Sequence, residues 1–80
     1  MRIDKFLKNS RIIKRRTVAK EACDQGRILL NDKEAKAGTE VKTGDKIGIH
    51  FGNRSLIVEV VEIIESPRKE DAISMYKVIE

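Results

Sequence analysis

Near the start of the chain the apolar positions recur at helical spacing. Ile3, Phe6 and Leu7 stand at i, i+3 and i+4, one face of a short helix that Asn9 and Ser10 end. Arg2, Lys5 and Lys8 then fall mostly on its wet faces. Val18, Ala19, Ala22 and Cys23 repeat the spacing and predict a second helix. Thr17 is placed to cap its start, and Gly26 stands where a left-handed residue closes a helix. Lys14, Arg15 and Arg16 become the connection into that helix, whose N-terminal amides favour phosphate oxygens.

After Gly26 the period changes. Ile28 to Leu30 read as a strand, and Asn31-Asp32 as a tight turn returning into a strand over Lys33 to Ala37. Thr43-Gly44-Asp45 is a second turn. Ile47, Ile49 and Phe51 alternate with Gly48 and His50, as in a half-buried strand. Gly52-Asn53 turns the chain again, and Leu56, Val58 and Val60 resume the alternation against Ile57 and Glu59. Kept up, that period would bury Glu62, so a bulge or bend is expected near Val61. Ser66-Pro67 fits a cap followed by proline at the first helical position, opening a short helix to about Ile73. Met75 to Ile79 return as an edge strand. Two helices followed by a small curved antiparallel sheet predict an α+β fold.

Eighty residues are expected to form one domain, in which folding buries only about 60% of the unfolded surface. That allows a modest core and little room for a substrate cavity. No apolar run approaches the roughly 20 residues of a membrane span. The charged start does not resemble a signal segment, so no membrane partner and a cytoplasmic location are expected. The single cysteine excludes an intramolecular disulfide and a cysteine-based zinc site. With no nucleophile–base pair and no metal cluster, the chain is expected not to be an enzyme and to need no cofactor.

Charge sharpens the picture. The net charge is +4, yet residues 1–20 hold eight basic residues against Asp4 alone, a net +7. Residues 21–58 balance at six of each sign, and residues 59–80 carry −3. Such segregation is the footprint of a polyanionic partner, with the acidic end facing elsewhere. Aromatics are only 4% of the chain, thin for a stacking platform but sufficient for structured RNA, which is recognised largely through shape and backbone.

The opening Arg2-Ile3-Asp4-Lys5-Phe6-Leu7, followed by Ser10-Arg11-Ile12-Ile13-Lys14-Arg15-Arg16-Thr17, resembles the S-four-type RNA-binding domain, or αL RNA-binding motif. Gly26-Arg27-Ile28-Leu29-Leu30-Asn31-Asp32 is similar to that family's strand running into a turn, often Asn-Gly. Val41-Lys42-Thr43-Gly44-Asp45-Lys46-Ile47 resembles its closing signature. These pieces keep the family's order and spacing across residues 2–47, leaving 48–80 as a C-terminal sheet extension too short for a catalytic domain. The length, the Ile12 to Thr17 run and the Met75-Tyr76 ending resemble the RqcP (YabO) family over nearly the whole chain. Asp32 where glycine is commoner, and Cys23 at a usually small position, are departures that leave the basic cluster untouched.

That resemblance implies an RNA-binding factor of ribosome-associated quality control. It would bind large ribosomal subunits carrying a nascent chain, contact large-subunit rRNA and P-site tRNA, and work with RqcH during alanine tailing. Arg2 and Arg16 match the family's central rRNA-contacting arginines. Lys5, Arg11, Lys14, Arg15 and Lys20 match flanking backbone contacts by position, and Thr17 adds a phosphate hydrogen bond to its capping role. Two other functions fit the residues themselves: a ribosomal structural or assembly protein that holds rRNA permanently, and a DNA-binding regulator. Nothing in the pattern demands a second copy, so the free chain is expected to be a monomer. Phe6, Phe51 and Cys23 are expected in the core, Tyr76 packed at its edge, and His50 pointing to solvent.

Overall fold

A computed structural model describes residues 1–80. Two helices lead, α1 (Ile3–Asn9) and α2 (Arg16–Asp24). Strands β1 (Ile28–Leu30), β2 (Lys33–Glu34), β3 (Lys46–Phe51) and β4 (Arg54–Val60) follow, and a 3-10 helix (Lys69–Met75) runs into β5 (Tyr76–Val78). The strands form one antiparallel open sheet in the order β2-β1-β3-β4-β5, the α+β architecture expected above.

Periodicity explains why the layers meet. Ile3, Phe6 and Leu7 present one stripe of α1, and all three are fully buried. The register Ile28↔Ile49 and Ile47↔Val58 gathers the apolar side chains of β1, β3 and β4 on one sheet face. Helices α1 and α2 cover that face, α2 through Ala19 and Cys23. Each such aliphatic or aromatic side chain contributes roughly 1.5–3 kcal/mol when fully buried.

The ends of these elements have local causes. Gly26, at φ +73°, closes α2: its N–H donates to the Cys23 carbonyl (3.0 Å) and the Arg27 N–H to that of Ala22 (2.9 Å). Asn31 (φ 50°) and Asp32 (φ 71°) are both left-handed, the conformation a two-residue type I′ hairpin requires. Asp32 therefore serves where glycine is commoner. Helix α1 ends less comfortably. Arg11 follows its cap at φ 63°, a position where glycine carries no penalty and an ordinary side chain costs about 1–2 kcal/mol.

Four expectations need correction. The return strand stops at Glu34; after one more bond from the Ala35 N–H to the Ile28 carbonyl, the chain turns to the start of α1. The Asp4 N–H donates to Ala37 (3.3 Å) and the Ile3 N–H to Thr39 (2.7 Å). The C-terminal helix is a 3-10 helix from Lys69, not a helix from Pro67; the Asp71 carboxylate accepts the Arg68 N–H (3.1 Å) and sets its start. Phe51 is not core. It lies at the far end of β3, 44% exposed. Val18 likewise stands 47% exposed, outside the stripe that Ala19 and Cys23 bury. The expected bulge is present: the Val61 and Glu62 amides both reach the Met75 carbonyl, at 2.9 and 3.2 Å. Tyr76 packs half-buried against the core, and His50 is exposed. No helix is long and apolar enough to cross a membrane.

Candidate nucleic-acid interface

Because α1 and α2 turn their apolar stripes inward, their basic residues have only the outer surface left. Arg2, Lys8, Arg11, Lys14, Arg15, Arg16 and Lys20 are all exposed, and Lys5 is half-buried. The one acid among them is the exception. Asp4 has a side chain only 3% exposed, a placement that is costly for a carboxylate without partners.

Its partners are the two arginines that the sequence singled out. One Asp4 oxygen lies 3.3 Å from Arg2 Nη2 and 3.4 Å from Arg16 Nε; the other accepts the Lys5 backbone N–H at 2.8 Å. Arg2, just before α1, and Arg16, the first residue of α2, are thus joined across the helix pair. A Cβ at Gly38 would stand 3.9 Å from the Arg2 guanidinium. Both arginine side chains stay about half exposed, at 50% and 46%. A guanidinium has five N–H donors, and each commits one nitrogen to Asp4. The remaining donors are left without an Asp4 partner on side chains that are half open to solvent.

Seven of the eight residues expected at the site sort into two hollows. Arg2, Arg16, Thr17 and Lys20 surround Asp4 in one. Lys5, Arg11 and Lys14 line the other with Lys8, Asn9 and the chain after β4, where Lys5 meets Glu65 at 3.2 Å. Asn9 fixes that wall, its side-chain amide donating to the Ile64 (3.2 Å) and Glu65 (3.1 Å) carbonyls. Arg15 lines neither hollow; it is the residue before α2, with extended backbone.

That position belongs to Arg15 and not to Thr17, which corrects the expected cap. The first helical bond runs from the Ala19 N–H to the Arg15 carbonyl (3.0 Å), so Thr17 already lies inside the helix, and no side chain caps α2. Thr17 is exposed beside Arg2, Arg16 and Lys20 instead. Sequence reasoning passed over Asp4 and Lys8 as site residues. The signal for Asp4 was there, as the lone acid in a strongly basic stretch.

Behind this surface Cys23 is buried, and burial, then the charges of Asp4 and Asp24, push its thiol up to about 11. It is a protonated, small core side chain, not a nucleophile.

Comparison with known proteins gives the chain a family. The family model described as S4 domain matches residues 1–47, the stretch that holds both helices and the Asp4-centred arginine pair. An RQC P-site tRNA stabilizing factor of Halalkalibacterium halodurans is 56% identical over 98% of this chain and 89% of its own length. One of Streptococcus pneumoniae is 56% identical over 99% and 90%. Among solved structures, a trimeric heat shock protein 15 of Vibrio cholerae superposes with a TM-score of 0.91 at 25% identity, covering 99% of this chain and 81% of that one. With its N-terminal motif matched and its full sheet shared, the chain belongs to the S4 domain family and, within it, to the family of the RQC P-site tRNA stabilizing factors.

Proposed function

We propose that this protein binds RNA through the outer surface of α1 and α2, and that it stabilises P-site tRNA on stalled large ribosomal subunits. Within that reading, Arg2 and Arg16 grip rRNA phosphates with the donors that Asp4 leaves free. Lys5, Arg11, Lys14, Arg15 and Lys20 track the neighbouring backbone, and Thr17 adds a hydroxyl donor. The complex forms in the cytoplasm, on subunits that carry a nascent chain, during RqcH-dependent alanine tailing. Binding, positioning and charge complementarity suffice for this role, with no catalytic step. The observation that carries the reading is the arrangement of charge: the basic residues of the first twenty positions face outward, while the one acid is turned inward to hold two of them.

The test is purification of the tagged protein with its ribosomal particles, followed by imaging and sequencing of any bound tRNA. Large subunits with peptidyl-tRNA are expected. Equal recovery with every large subunit would point to a structural component instead. In solution, log K for RNA should fall by roughly 0.7–0.9 per phosphate neutralised for each unit of log salt. A flat salt dependence would refute electrostatic RNA binding.

A further inference from the structure

The alternation along β3 assigns Phe51 to the same sheet face as Ile47 and Ile49, which are fully buried. Helix α2 does not cover it, and it is 44% exposed. Phe51 is left beside the outer side of α2, where Val18 and the half-buried Ala22 form the floor of a hollow of about 190 Å³. Phe51 and Val18 are thus two exposed apolar side chains at one place, and polar groups share the lining with them. Arg27 and Gln25 line the same hollow, His50 stands at its edge, and Arg54 is the cross-strand partner of Phe51. Glu21 is the one acid.

We infer that this hollow takes an unpaired RNA base, stacked on Phe51, whose flanking phosphates lie on Arg27 and Arg54. This rests on the RNA-binding reading above and extends it from backbone to base. The chemistry fits each group. An aromatic ring offers a face to any base, an arginine adds cation–π and phosphate contacts, and the Gln25 amide offers both a donor and an acceptor to a base edge. A protein partner with an apolar anchor is the competing occupant. Two arginines, Arg27 in the lining and Arg54 across the strand, stand against Glu21 alone, and that balance favours the polyanion.

The test uses two RNA hairpins, one with an unpaired loop and one whose loop sugars are abasic but equally charged. Because the chain has no tryptophan, Phe51→Trp provides a single reporter. Its fluorescence should be quenched by the base-bearing loop and not by the abasic one. Phe51→Ala should weaken binding to the base-bearing hairpin by about 5- to 150-fold, the range a base–aromatic stack is worth, and leave the abasic hairpin unchanged. Phe51→Leu keeps the apolar bulk without the ring, and should behave like Ala. Equal effects on both hairpins, or an unquenched tryptophan with normal affinity, would overturn the stacking proposal alone. Failure of the wild-type protein to bind either hairpin would overturn the RNA reading as well. Unchanged RNA affinity with lost sedimentation on ribosomal particles would assign the hollow to a protein, and so overturn the proposal too.

Discussion

Replacing Asp4 by Asn removes one negative charge and almost nothing of the side chain's shape. The wild-type carboxylate is nearly inaccessible, and it neutralises two guanidinium groups at 3.3 and 3.4 Å. A buried pair broken on one side costs about 3–5 kcal/mol, but these arginines are half exposed and water recovers much of the loss. A destabilisation of about 1–3 kcal/mol is the result, or roughly 4–8 °C in Tm for each kcal/mol. A chain of this size has roughly 4–12 kcal/mol in hand, so the variant stays folded. Its RNA binding separates two accounts. If charge alone attracts RNA, raising the net charge from +4 to +5 should tighten binding to every RNA. If Asp4 aims the arginines, affinity for large subunits should fall about 10-fold while unspecific RNA binds as well as before or better. Calorimetry beside sedimentation with large subunits and with a random-sequence RNA measures both. An Asp4→Asn protein with wild-type Tm that binds both targets more tightly would refute the positioning role.

Arg16→Ala should lower Tm by only a few degrees, since Asp4 keeps Arg2 and the Lys5 amide, yet weaken large-subunit binding by about 1.5–3 kcal/mol. Arg16→Lys should restore it in part, and full binding by the Ala variant would remove Arg16 from the interface. Arg11→Gly should melt at or above the wild type, because it relieves a left-handed side chain, while losing RNA affinity; a lower Tm would show that Arg11 is not strained. Phe6→Ala should cost about 3–5 kcal/mol from the fully buried core, and an unchanged melting curve would contradict the packing of α1. Cys23 titrates near 9.0 when unfolded and near 11 when folded, so the native state holds the extra proton between those values. Its contribution is complete below pH 9 and lost as pH rises toward 11, amounting to roughly 2–3 kcal/mol. Denaturant melts of wild type and Cys23→Ala across that window should converge as pH rises; parallel curves would refute the shift.

Helices α1 and α2 and strands β1, β3 and β4 were legible because each has one buried face, and a single buried face writes its period into the chain. The turns at Asn31-Asp32 and at Gly52 were legible because left-handed backbone selects few residue types. Period says which face a residue takes, and it is silent on how far the covering layer extends. Phe51 continues the alternation of Ile47 and Ile49 without a flaw, yet it stays exposed because a hollow, not a packed side chain, separates it from α2. Val18 fails for the same reason from the helix side.

The Asp4 site was hidden by a different cause. Nothing local buries that carboxylate: it stands one residue after Ile3 at the start of α1, where an acid is ordinarily a solvated first-turn residue. It is enclosed because Arg16, twelve residues on, is brought back over it by the turn at Arg11 and the packing of α2 on α1. Only the tertiary fold makes one acid the common partner of two arginines. The charge pattern therefore marks a basic surface, but the ion pair that joins Arg2 and Arg16 across it is one that no helical or strand period encodes. That division follows from the physics. A count of charges sets long-range attraction to RNA, while discrimination between one RNA and another needs guanidinium groups held still before the ligand arrives.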